Sequence, residues 1–118
     1  MKKVLFVLTL VVALAAVSIA QTKVLSGTWS ATTNSDGYTL ATNEGDRYYT
    51  VAVNFLDPFE SKPDVILTVN FVDADQKTPI RYDAQVISAT RDGMTLRIKT
   101  WGNTKLFGIG GYWMAHGE

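Results

Sequence analysis

The stretch Arg91-Asp92-Gly93-Met94-Thr95-Leu96-Arg97-Ile98-Lys99-Thr100-Trp101 decides how the fold is read. Met94, Leu96 and Ile98 alternate with Thr95, Arg97 and Lys99. Successive side chains of a β-strand point to opposite faces, so the first set faces a core and the second faces away from it. Arg91-Asp92-Gly93 ahead of the strand is a hairpin signal, a three-residue loop in which Gly supplies the positive φ. Trp101 continues the outward parity of Thr95, Arg97 and Lys99. A large aromatic therefore stands where packing does not require one, and a polar turn, Gly102-Asn103-Thr104-Lys105, follows at once.

Working outward, the same period recurs. Val51, Val53 and Phe55 share one parity from Arg47 onward, and Val65, Leu67, Val69 and Phe71 share one in the next strand. Tyr82, Ala84 and Val86 repeat it in a fourth, with Arg81, Asp83 and Gln85 opposite. Ile109, Gly111, Trp113 and Ala115 share a face of the last strand, where Gly108, Gly110 and Gly111 mark a bulge or a close backbone approach. Residues 23–30 form a first strand. Residues 34–37 and 43–46 are turns, rich in residues that tolerate left-handed backbone. Residues 38–42 between them are irregular or a short edge strand. Pro58 and Pro63 break the ladder in the loop after Phe55, and Phe59 is expected to fold back and plug the end of the core. Short strands with regular turn signals and no helical period predict an all-β sandwich or barrel.

The first residues have a different character. Lys2 and Lys3 precede an apolar run over residues 4–17, and Ser18-Ile19-Ala20 supplies the small residues of a peptidase site. This is the pattern of a signal peptide over residues 1–20, cleaved after Ala20. A membrane anchor usually needs about 20 apolar residues. The expected mature domain is residues 21–118, secreted and without membrane insertion. Without Lys2 and Lys3 the 11 basic side chains fall to 9 against 11 acidic ones, a net charge of −2. Nucleic acid selects a basic footprint and is not an expected partner. The chain has no cysteine, so a small exported domain must hold together by apolar burial or by oligomerisation.

Catalytic constellations are sparse. Without Cys there is no thiol nucleophile, and His116, the single histidine, makes a poor metal or catalytic centre alone. Asp73 and Asp75, like Glu44 and Asp46, read as solvated turn residues. A glycosidase would set two carboxyls roughly 5–10 Å apart across a cleft, and a calcium site needs about six oxygens. No catalytic residue, metal or cofactor is expected, and the protein is not read as an enzyme. What remains is a binding surface around Trp101. A Trp ring can cover the apolar face of a sugar while fixed polar groups take the hydroxyls. Burial of ~50 Å² would give roughly 1 kcal/mol, and each hydrogen bond to a carboxylate about 1.5–3 kcal/mol, enough for a millimolar to micromolar site. Packing of Trp101 against a neighbouring subunit is the equal alternative from the residues alone.

The order and spacing of Val51-x-Val53-x-Phe55, Phe59, Pro63-x-Val65, Gly93, Thr100-Trp101, Thr104-Lys105 and Trp113-x-Ala115-x-Gly117 resemble the H-type lectin family. This is the family of the snail albumen-gland agglutinins and of the carboxy-terminal half of the discoidins. The resemblance covers residues 46–117. It implies a six-stranded antiparallel β-sandwich that assembles as a homotrimer or a hexamer. It further implies binding of glycans with terminal N-acetylgalactosamine or galactose, near subunit interfaces, in agglutination, cell adhesion or microbe recognition. The family's sugar-binding Trp falls on Trp101, the next site residue on Gly102, and the following aromatic on Phe107. The gripping carboxylate falls on Asp46, with backbone contact from Gly45; the alignment needs a gap there, which leaves Asp36 as the alternative. The family's Arg falls on Gln85 and its His on Gly102. Gln offers one neutral amide where Arg offers a charged fork, so the preferred sugar is expected to shift. The other reading of the same departures is a structural or adhesive sandwich that has lost sugar binding.

Overall fold

The computed structural model describes residues 21–118; the signal-peptide expectation for residues 1–20 lies outside them. The described chain is all β, with seven strands and no helix: β1 (Lys23–Thr32), β2 (Arg47–Asn54), β3 (Asp64–Leu67), β4 (Phe71–Ala74), β5 (Asp83–Ala89), β6 (Gly93–Thr100) and β7 (Leu106–Gly117). They form two antiparallel sheets. In one, β7 is central, with β1 on one side and β3 and β4 end to end on the other. The second has the order β2-β6-β5.

The alternation in the sequence sets which side chains lie between the sheets. Met94, Leu96 and Ile98 of β6 meet Trp29 and Ala31 of β1 and Ile109, Trp113 and Ala115 of β7 in one buried cluster. Phe59 closes one end as expected: it is 1% exposed and stands edge-on to Phe55 at 5.3 Å between ring centroids. Its amide donates to the Arg91 carbonyl at 2.9 Å. At that end Lys23 Nζ donates to the Pro58 carbonyl at 2.7 Å and pairs with Asp57 at 3.0 Å. The Glu60 amide donates to the Glu118 carbonyl there as well. Leu40, in the irregular stretch after β1, is fully buried, and its carbonyl accepts from the Leu106 amide at 3.0 Å.

The expected six strands become seven because the strand over residues 65–71 is interrupted. Leu67 pairs with Trp113, but Phe71 pairs with Gly110, so the edge carries one extra residue relative to β7. Such a bulge reverses which side chains point inward. Leu67 and Val69 pack on the core, and so do Val72 and Ala74. Phe71, expected inward, is instead 46% exposed. Gly111 makes the interruption possible, because a Cβ there would overlap the Thr68 carbonyl oxygen. That oxygen accepts from Trp29 Nε1 at 3.0 Å. The Phe71 ring lies against Gly108 and Gly110, and a Cβ at Gly110 would collide with it.

Two further expectations are corrected. Gly93 does not adopt a positive φ. It opens β6, where a Cβ would run into the Val53 carbonyl, and the turn before it is two residues, Arg91-Asp92, with the Thr90 amide donating to the Gly93 carbonyl at 2.8 Å. Tyr82 lies one residue before β5 and is exposed rather than in the core. There the chain is held by hydroxyls instead: Thr100 Oγ1 donates to the Arg81 carbonyl at 2.5 Å and Thr104 Oγ1 to that of Pro79 at 2.6 Å.

Candidate functional site

The outer face of β2-β6-β5 carries the polar halves of three alternating strands. The register sets them in rows: Tyr48, Lys99 and Asp83 in one, Thr50, Arg97 and Gln85 in the next. One step further, past the last paired residues of β6 and before the first of β2, stand Trp101 and Asp46. Lys99 reaches both rows. Its ammonium is 3.6 Å from the Asp46 carboxylate, 5.5 Å from the Trp101 ring centroid and 5.8 Å from that of Tyr48. The Arg97 guanidinium also lies over Tyr48, at 5.0 Å. Cations over aromatic faces are held by the ring quadrupole.

The end of the sheet is fixed by a buried arginine that the sequence reading passed over. Arg47 shares the inward parity of Val51 and Val53 and is 5% exposed. All three of its nitrogens donate to backbone carbonyls: Nε to Gly45 at 2.9 Å, Nη1 to Leu40 at 3.1 Å and Nη2 to Gly102 at 3.0 Å. The Gly45 amide donates to the same Gly102 carbonyl at 2.9 Å. Gly45 and Gly102 both have positive φ, 81° and 66°, a conformation that other residues adopt at a cost. Two turns, one before β2 and one after β6, are thus tied into one platform that carries Asp46 and Trp101. Arg81 borders it from the β5 side, with Nη1 donating to Asn103 Oδ1 at 3.1 Å and Thr104 Oγ1 at 3.3 Å. A signal for Arg47 was present: a charged residue at an inward strand position must find partners or stay out of the core.

Of the residues expected in a sugar site, Gly45, Asp46, Trp101 and Gly102 come together at this end. Trp101 is 37% exposed. Gln85 is on the same face but in register with Arg97, four residues before Trp101 and so roughly 13 Å along the strand. Phe107 is not with them. It lies on β7 in the other sheet, 38% exposed. Asp36 sits in the turn after β1 and is exposed, whereas Asp46 is the carboxylate joined to this face through Lys99. His116 is paired between Val24 and Asp64 in the sheet built on β7. Asp75 spends an oxygen on its own turn, accepting from the Lys77 amide at 2.9 Å. Among the described residues no cluster of three or more metal-ligating side chains forms.

Below the platform, burial pushes the Tyr38 phenol up to about 12, against a smaller opposing pull from Arg47. Its hydroxyl donates to the Leu106 carbonyl at 2.5 Å, and its ring meets that of Tyr49 at 5.5 Å.

This end of the sheet presents an aromatic ring, a carboxylate and an ammonium on a fixed backbone, the chemistry of a binding surface. The comparisons with known proteins agree. The H-type lectin domain family matches residues 50–116. A Fuscovulum blasticum protein described as ATP synthase subunits region ORF 7 is 34% identical over 84 residues, 71% of this chain and 73% of that one. Two solved structures of discoidin II from Dictyostelium discoideum superpose with TM-scores of 0.71 and 0.72 at 25% identity, over 86% and 83% of this chain. The chain spans 39% and 37% of the discoidin II chains it matches.

The chain belongs to the H-type lectin domain family. Lectin-type carbohydrate binding is the activity to which this membership points.

Proposed function

We propose that the protein is a secreted, multivalent lectin for glycans ending in N-acetylgalactosamine or galactose-type sugars. The observation that carries the reading is the Trp101–Asp46 platform, an exposed indole and an exposed carboxylate fixed at the end of the same sheet by Arg47. The indole covers the apolar face of the sugar ring, and Asp46 accepts from its hydroxyls. Gly45 and Gly102 let the backbone come close. Gln85 is too far along the sheet to touch the same ring from one subunit, which is consistent with a site shared between neighbouring subunits.

Assembly into a homotrimer, or a hexamer of two trimers, has its support on the opposite sheet. Val24, Ile66, Phe71, Tyr112 and Met114 are all between 43% and 57% exposed on strands β1, β3, β4 and β7. Ile66, Tyr112 and Met114 line a groove of about 400 Å³. Contiguous apolar area of this kind marks an interaction surface, and copies of the chain are the occupant proposed. Several weak sites on one rigid assembly raise avidity by roughly 10² to 10⁴, which suits agglutination, adhesion or microbe recognition at a glycan-covered surface.

A glycan array probed with the purified protein tests the reading, with free N-acetylgalactosamine as competitor. Binding to galactose-type termini that the free sugar displaces is the expected result. A folded, oligomeric sample that binds no glycan would leave the structural or adhesive alternative.

A further inference from the structure

Arg97 and Lys99 converge on one ring. The Arg97 guanidinium is 5.0 Å and the Lys99 ammonium 5.8 Å from the Tyr48 centroid. One carboxylate, Asp46, pairs with Lys99. Asp83, in register with Lys99 on β5, makes no ion pair among the described residues, and Arg97 has none either. The row neighbours of Arg97, Thr50 and Gln85, are neutral hydrogen-bonding side chains. Asp46 and Asp83 both stand beside Lys99, while the Arg97 guanidinium one row further on has no carboxylate across from it on either neighbouring strand and is the cation left for an outside anion. A guanidinium held over an aromatic ring keeps N–H donors for a carboxylate or sulfate, which an arginine can take in two parallel hydrogen bonds.

We propose that Tyr48, Arg97, Lys99 and Gln85 form a second subsite, for the anionic group of an acidic glycan whose neutral end lies on Trp101. The inference rests on the lectin reading of the same face and names a further ligand class for it. Arg97 takes the anion, Gln85 Nε2 and Thr50 Oγ1 donate beside it, and the Tyr48 ring holds the guanidinium in place. The rows of Arg97 and Trp101 are roughly 13 Å apart along the sheet, beyond one sugar ring, so the ligand is a short oligosaccharide rather than a monosaccharide. Carboxylate and sulfate share the required chemistry.

Calorimetric titration with three oligosaccharides tests this: a neutral one ending in N-acetylgalactosamine, its uronic-acid analogue and its sulfated analogue. One or both anionic ligands are expected to bind roughly tenfold or more tightly than the neutral one, as charge-assisted hydrogen bonds do. Arg97→Gln is expected to abolish that difference. Lys77→Gln, a charge change in the turn after β4, is expected to leave the difference intact. Whichever analogue gains identifies the anion. Equal binding of all three, or a gain that survives Arg97→Gln, overturns the subsite while the lectin reading stands. Binding of none overturns both.

Discussion

Arg47 Nη2 donates to the carbonyl of Gly102 at 3.0 Å, and through that bond the start of β2 holds the turn that follows β6. The same carbonyl receives the Gly45 amide. The relationship is a cross-brace between two turns that are 55 residues apart in sequence.

Removing the brace has a defined cost. Arg47→Met keeps much of the volume but takes one donor from each of three carbonyls; those of Leu40 and Gly102 keep a backbone amide, while that of Gly45 loses its arginine partner, and a buried polar group left unpaired costs roughly 1–3 kcal/mol. Urea unfolding is expected to give a loss of about 2–4 kcal/mol, among the larger effects of a single substitution. Arg47→Lys restores part of it, since an ammonium cannot serve three carbonyls in a plane. A loss within 0.5 kcal/mol for Arg47→Met would show that the turns hold themselves.

Trp101→Ala separates binding from folding. Trp101 is exposed, and surface substitutions stay within about 0.5 kcal/mol of the parent stability. Glycan affinity is expected to drop by more than about tenfold, from lost apolar contact with the sugar ring. If the variant loses its oligomeric state instead, the indole belongs to a subunit contact.

The extra residue in the edge strand predicts an intolerant glycine. In Gly111→Ala the new methyl meets the Thr68 carbonyl, a backbone atom held by Trp29 Nε1. Overpacking of this kind costs about 1–3 kcal/mol. Gly37→Ala serves as contrast: nothing lies near its Cβ, so its cost comes from the positive φ alone. A Gly111→Ala protein as stable as the parent would mean that the bulge slides.

Tyr38 sets a limit at alkaline pH. Its phenol is raised from 10.0 to about 12 on folding by burial, so above pH 10 the folded chain binds a proton that the unfolded chain has lost. Stability from this group is complete below pH 10 and declines as pH rises through about 12. Tyr38→Phe is expected to flatten that decline in denaturation curves measured across the interval. An unchanged slope would place the titration elsewhere.

Ile66 and Tyr112 flank the groove on the β7 sheet. Ile66→Lys puts a charge where copies of the chain are proposed to meet, and sedimentation equilibrium is expected to show a monomer with an intact fold. An unaltered oligomer would move the interface to another face.

Much of the sandwich was legible because period-two alternation reports burial directly. Met94, Leu96 and Ile98 went inward, and Trp101 went outward. Phe71 was misplaced because Thr68 and Asn70 keep the expected outward parity up to it, and the contrary sign, Asp73 at the inward parity, was read as part of a turn rather than of β4. The other trace of the bulge was the glycines of β7, which yield space to Phe71 and Thr68. Gly93 was given the wrong reason, since a glycine that relieves a backbone contact looks the same in sequence as one with positive φ. The union of Asp46 with Trp101, and the separation of Gln85 and Phe107 from them, depend on register and sheet membership. Those are fixed by pairings between distant segments and cannot be read from one strand.

Lys23 and Glu118 are both fastened to the loop that carries Pro58 and Glu60, next to the start of β6, while Trp101 follows its end. The two ends of the described chain thus leave from the pole opposite the platform. A carrier attached beside Lys23 or Glu118 would therefore leave the indole of the proposed site facing away from it.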